Sequence, residues 1–267
     1  MDLYQVVTDR IIKKLEEGTV PWRRPFQHHG AVSWVTQKSY RGINAIILDE
    51  GEYATFNQIK KAGGRVKKGE KSELIIFWKL IETEDGDEIP FMRYYRVFEI
   101  NTQAEGLKSR RNIKEYDHDP IAEAEAVLKG YNEPKFTEEL GWAYYKPSTD
   151  TVNVPPKSDF EDIHEYYSAF FHEIVHSTGH EKRLNRDGIN IATRFGSRMY
   201  GREELVAEIG ASFLCAHTGI INRTIDNSAS YIQSWLRALK DDKKLVVSAS
   251  QRAQRAVDYI LGVSFDD

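Results

Sequence analysis

Residues 172–176 read His-Glu-Ile-Val-His, an H-E-x-x-H spacing, and no other pattern in the chain constrains its fold so tightly. The spacing is useful only on a helix. There, residues four apart differ by about 40° in azimuth and about 6 Å in rise, so both imidazoles face one way and can share a metal ion. Glu173 stands beside such an ion without ligating it, where it can take a proton from water. From the histidine and glutamate content, chance produces this pattern about 0.02 times in a chain of this kind. The flanking sequence predicts the helix. Phe170, Phe171, Ile174 and Val175 supply an apolar face across 159–178. Ser158 and Glu161 match a capping box after Pro156, and Gly179 suits the C-terminal stop.

A catalytic zinc takes a third protein ligand and keeps one position open. The chain has one cysteine, Cys215, which excludes an internal disulfide and leaves metal binding to His and carboxylates. The extension H-E-x-x-H-x-x-G-x-x-H fails, because Lys182 stands where the third histidine belongs. His180 is a candidate for the layer behind the ligands or for substrate contact. The better source is 202–208, Arg-Glu-Glu-Leu-Val-Ala-Glu. Glu204 and Glu208 are four apart on a face that continues through Ala211 and Cys215. Two carboxylates on a small apolar face need compensation, which metal ligation by one and a bond to a ligand histidine by the other would provide. The pattern resembles the Glu-type zincins. That resemblance makes Glu204 the third ligand and Glu208 the carboxylate behind it, with the reverse order, or Glu203 as ligand, still open. It also implies an edge strand along the cleft, for which Thr151–Val154 is the candidate.

The front half is chemically different. Residues 1–112 carry 19 Lys and Arg against 16 Asp and Glu, and residues 113–267 carry 18 against 25. Cations crowd 10–41 and 53–79, interleaved with Trp22, Phe26, Trp34, Tyr40, Phe56, Phe77 and Trp78. Cations for phosphates beside aromatic faces for unpaired bases is the chemistry of single-stranded nucleic-acid binding. The segment from Gly64 to Ser72 imitates a phosphate-binding P-loop, but Glu70 intrudes before the Lys-Ser pair, and a nucleoside-triphosphate site is rejected. Runs such as Leu74–Trp78 fall far short of the about 20 apolar residues a membrane span needs. The first residues hold no apolar signal core, so the expected location is cytoplasmic.

At 267 residues, two domains are the first expectation. The pattern predicts an amphipathic helix over 2–17, short helices at 43–48 and 55–62, and strands at 73–81 and 89–100 joined by an Asp85-Gly86 turn. A polar linker follows at 104–120, then a helix over 122–129 and a small hairpin over 142–154. Further helices are predicted at 202–218, 228–240 and 248–261.

Taken together, the chain resembles the ArdC-type antirestriction proteins of conjugative plasmids and mobile elements. In front the resemblance rests on Val20–Arg23, Ser39–Asn44, Thr55–Ile59, Gly64–Lys71 and Val97–Gln103. Behind, it rests on His172–His180, Arg183–Asn185, Tyr200–Glu208 and Ser230–Ile232 with Trp235-Leu236. It implies an α+β protein: a small α+β domain with a β-hairpin sheet over 1–110, binding single-stranded DNA, and a mostly helical zincin-like metallopeptidase domain over 111–267. It further implies one zinc ion and protection of incoming DNA from host restriction. The metal ligands would be His172, His176 and Glu204, with Glu173 catalytic and Glu208 and His180 behind them. Candidate DNA contacts are Trp22, Arg23, Tyr40, Arg41, Asn44, Arg65, Lys67, Lys68 and Lys71. Duplex DNA, a protein substrate or a host restriction enzyme are further candidate partners. The competing class is a DNA-binding module whose metal site is structural or vestigial.

Overall fold

The computed structural model of the chain describes residues 2–23, 30–82, 88–111, 119–190, 198–222 and 229–263. The chain forms two compact units, one over His29–Glu115 and one made of Asp2–His28 with Tyr116–Asp267. Residues 2–23 pack with the second unit.

Helix α1 (Leu3–Glu16) opens the chain. Asp2 caps it by accepting from the Tyr4 and Gln5 amides, and Val7, Ile11 and Leu15 bury one face. The first unit is then built from β1 (Ala31–Ser33), α2 (Ile43–Ile47), β2 (Gly51–Thr55), α3 (Phe56–Lys61), β3 (Arg65–Val66), β4 (Glu73–Glu82), β5 (Glu88–Glu99), α4 (Ile100–Gln103) and β6 (Ala104–Glu105). The four-stranded sheet runs β1-β2-β5-β4, with β1 parallel to β2 and the other pairs antiparallel. Strands β4 and β5 pair from Glu73↔Val97 to Glu82↔Glu88, as the alternation predicts, while the Asp85-Gly86 turn lies outside the described residues. A complete capping box, Thr55 with Gln58, starts α3. Ala54, Ile59, Ile100 and Ala104 form a core against Trp34, Val66, Phe98 and Leu107.

The second unit adds α5 (Pro120–Gly130), β7 (Lys135–Thr137), β8 (Tyr144–Lys146), β9 (Thr151–Asn153), α6 (Ile163–Ser177), α7 (Asp187–Asn190), α8 (Arg198–Thr218), α9 (Ala229–Asp241) and α10 (Leu245–Leu261). The hairpin predicted at 142–154 is present as β8 and β9. Its second strand is central, because β7 pairs parallel along the other side. Thr151–Val154 is therefore not the edge strand expected, and no extended peptide can add beside it. Helix α6 starts later than its pattern suggests. Asp162 caps it by accepting from the His164 amide, while Lys157–Asp159 forms a separate 3-10 turn, so Ser158 and Glu161 are no capping box. The molecule is α+β, and among the described residues no helix is long and apolar enough to cross a membrane.

Candidate metal centre and nucleic-acid surface

Helices α6 and α8 approach closely where Gly210 faces Val175. A Cβ at position 210 would lie 2.8 Å from Val175 Cγ1, so only glycine permits the contact. That approach brings three sequence-predicted ligands together. One ligand atom from each of His172, His176 and Glu204 falls within a 4.8 Å cluster. The Nε2 atoms of His172 and His176 are 3.1 Å apart. Glu204 places Oε2 3.5 Å from His172 Nε2 and Oε1 3.5 Å from His176 Nε2. Ligands about 2.0–2.1 Å from a tetrahedral ion stand about 3.3–3.4 Å apart. The separations and the two-nitrogen, one-oxygen donor set therefore fit a divalent ion. Glu173 is half-buried on the same helix, and its charge acts on His176.

The carboxylate behind the cluster is Glu203. Its Oε1 lies 3.4 Å from His176 Nδ1, so the two ring nitrogens of His176 address two different glutamates. Arg186, buried to 6% exposure, holds Glu203 through Nε (3.0 Å to Oε2) and Nη2 (2.6 Å to Oε1). Its remaining donors reach the Thr178 hydroxyl at 2.7 Å and the Val175 carbonyl at 2.8 Å. Gly179 makes room for this arrangement, since a Cβ there would meet Arg186 Nη2 at 3.0 Å and Ile189 Cγ1 at 2.6 Å. It directly follows the Thr178 C-cap, at the helix stop its sequence position predicts, but without the left-handed φ of a glycine cap. Burial, the largest influence on His176, opposes its charge, yet Glu203 and Glu204 together raise it to about 10. Glu204 is lowered: its burial is outweighed by hydrogen bonds to His172 and His176. A cation is thus strongly favoured at this spot, whether a proton or a metal.

Glu208 plays another part than expected. Instead of bonding a ligand histidine it accepts from Trp22 Nε1 at 3.0 Å and from the Tyr231 hydroxyl, and burial pushes it up to about 7. His180 is buried and accepts the Lys182 amide on Nδ1 (3.2 Å), outside the three-residue cluster. Nearby, Arg183 ties the β8–β9 connection to the end of α6, pairing with Asp150 and donating to the Ser177 carbonyl at 2.8 Å.

The candidate DNA contacts divide by burial. Trp22 is 0% exposed, edge-on to Trp235 and bonded to Glu208 in the second unit. An enclosed indole cannot stack on a base, so that expectation is corrected. Asn44 spends its amide on the fold, donating to the Ile76 carbonyl (2.7 Å) and accepting the Ile76 amide (2.8 Å) along the outer edge of β4. Tyr40 and Arg41 are half-buried. The Tyr40 ring packs edge-on to Tyr53, and burial raises its hydroxyl to about 12. Lys68 and Lys71 are exposed; Arg65 is exposed and paired with Glu105 (2.6 Å), and Lys67 donates to the Thr102 carbonyl (2.6 Å). The Arg23 side chain lies outside the described residues.

Known proteins match this architecture. Residues 1–112 match the N-terminal domain of anti-restriction factor ArdC, and residues 122–252 match a zincin-like metallopeptidase domain. The metal-free crystal structure of antirestriction protein ArdC from the R388 plasmid is 36% identical, covers 99% of this chain and 100% of that one, and superposes with a TM-score of 0.74. Its Mn(II)-bound structure is 38% identical over 98% of both chains, with a TM-score of 0.76. DNA primase TraC of Escherichia coli is 32% identical over 97% of this chain, which spans only 20% of that protein's length. The chain therefore belongs to the ArdC antirestriction family, an ArdC N-terminal domain followed by a zincin-like metallopeptidase domain.

Proposed function

We propose that the chain is an antirestriction protein of the cytoplasm that holds single-stranded DNA through its N-terminal domain and one zinc ion through His172, His176 and Glu204. The zinc site is read as a hydrolase of peptidase type, acting on a protein such as a host restriction enzyme. The observation that carries this reading is the cluster of three ligand atoms within 4.8 Å, two of them on the helix that also bears Glu173 and the third on α8. Imidazole nitrogens with one carboxylate suit zinc among divalent ions. When bound, such an ion polarises a scissile carbonyl and acidifies water. This chain's own residues supply the rest. Glu173 takes a proton from the attacking water and later delivers one to the leaving amine. Glu203, fixed by Arg186, keeps His176 turned so that Nε2 faces the cluster.

A second reading, protection of DNA by occupancy alone, also fits an N-terminal domain of this family. Glu173→Gln separates the two. It is expected to keep the metal and lose hydrolysis by about 10²–10⁴-fold. Protection equal to the parent's would assign antirestriction to occupancy, and loss of protection would assign it to the hydrolase.

A further inference from the structure

Beyond the contact residues of the basic segment, the face of the β4–β5 ribbon opposite its core has a composition of its own. Paired residues of antiparallel strands share a face, and alternate residues repeat it. Leu74 and Ile76 are buried on the inner face. The pairs Ile75↔Tyr95 and Phe77↔Arg93 therefore share the other one. There Tyr95 is 46% exposed and Phe77 47%, two of the few large apolar side chains left in solvent among the described residues of this unit. Phe77 and Tyr95 are diagonal neighbours, about 7–8 Å apart, with exposed Arg93 between them in the lattice of side chains.

Charge decides what such a face can receive. At its far end the last described pair of the ribbon is Glu82↔Glu88, two carboxylates that would repel a phosphate backbone. Toward the root of the ribbon the sign reverses, with Lys60, Lys61, Arg65, Lys67, Lys68 and Lys71 against Glu70, Glu73 and the Glu105 that pairs with Arg65. Lys71 is exposed and precedes β4 by two residues. An anionic chain lying on the face is thus drawn toward the root and kept from the tip. Unpaired bases are the flat, weakly polar groups of a polyanion that stack on exposed rings beside a guanidinium. Bases within a duplex are already stacked and offer no such faces.

We infer that Phe77, Tyr95 and Arg93 form a base-stacking platform for single-stranded DNA at the root half of the β4–β5 ribbon, with its acidic tip excluded from contact. The inference rests on the reading that this domain binds single-stranded DNA, and names where the bases sit.

The test uses the full chain and a fluorescently labelled dT20 strand, titrated at several salt concentrations. Phe77→Ser with Tyr95→Ser is expected to weaken binding by at least tenfold, since each stacked ring is worth about 5- to 150-fold. The salt slope should stay unchanged, because stacking releases no counterions. The exchange Phe77→Tyr with Tyr95→Phe should bind like the parent, which separates a stacking role from any effect on folding. If the parent binds dT20 with a steep salt slope and the double serine variant binds equally well, the platform is overturned while DNA binding stands. If the parent does not bind dT20 at low salt, the platform falls together with the DNA-binding reading.

Discussion

The cluster between α6 and α8 and the outer surface of the first unit meet different physical demands. An ion of fixed coordination tolerates misplacement of only a few tenths of an ångström. Around His176, accordingly, the supporting groups are themselves held: Glu203 by Arg186, and Arg186 by Thr178 and the Val175 carbonyl. A flexible polyanion needs only positive charge within a Debye length, about 8–10 Å at moderate salt. Lys68 and Lys71 are exposed, and Arg65 is paired only at the surface. In the cluster, then, one substitution should carry a large effect. On the surface, effects should be small, additive and visible chiefly through salt.

The sharpest contrast lies between two arginine–glutamate pairs. Arg186 and Glu203 each expose 5% of their side chains, whereas Arg65 exposes 81% beside Glu105. Arg186→Leu strands a buried carboxylate and should cost about 3–5 kcal/mol in urea unfolding. Arg65→Leu should cost less than about 1 kcal/mol. Equal losses would dissolve the distinction between the regions.

Next in size is a pH effect confined to the second unit. In the metal-free protein Glu208 is raised to about 7 by burial, against an ordinary value of 4.5. Between those values the folded state keeps a proton that the unfolded state has lost. Stability from this group is therefore full below about 4.5 and disappears as pH rises through about 7, by up to about 3 kcal/mol. Glu208→Gln should flatten that part of the stability–pH curve; an unchanged slope would show that the Trp22 and Tyr231 donors already hold the carboxylate ionised.

The smallest effects test the first unit. Asn44→Ala removes both bonds to the Ile76 backbone and should lower stability by about 1–2 kcal/mol while leaving affinity for a single strand intact. Replacing Lys67, Lys68 and Lys71 by alanine should do the reverse. Stability should change by less than about 1 kcal/mol, and the slope of log affinity against log salt should become shallower by about 2. A shift in salt slope from Asn44→Ala would restore it as a phosphate contact.

These outcomes follow the line between what could and could not be read from residue order. The H-E-x-x-H helix and the β4–β5 pair are set by spacing and alternation over short stretches of chain, and both were legible. The division of labour between Glu203, Glu204 and Glu208 was not. Helical spacing puts Glu204 and Glu208 on one face, but His176 presents a second ring nitrogen to a different side of α8, where Glu203 stands. Arg186 gave no signal either, since it meets Glu203 only through the fold. Trp22, beside Arg23 and Arg24, has the look of a stacking residue, and only packing against α8 and Trp235 reveals that it is enclosed. Ser158 and Asp162 are both competent caps, and the 3-10 turn at Lys157–Asp159 decides between them.

The central claim is that His172, His176 and Glu204 hold one divalent ion and that Glu203 and Glu208 do not ligate it. Metal content and affinity of the purified chain, measured by elemental analysis and competition with a chelator, test it directly. The parent should carry one zinc per chain, and Glu204→Ala should lose it. Glu208→Gln should retain it, and Glu203→Gln should weaken it by about 10–100-fold without abolishing it. A Glu204→Ala variant that binds zinc as tightly as the parent would contradict the assignment.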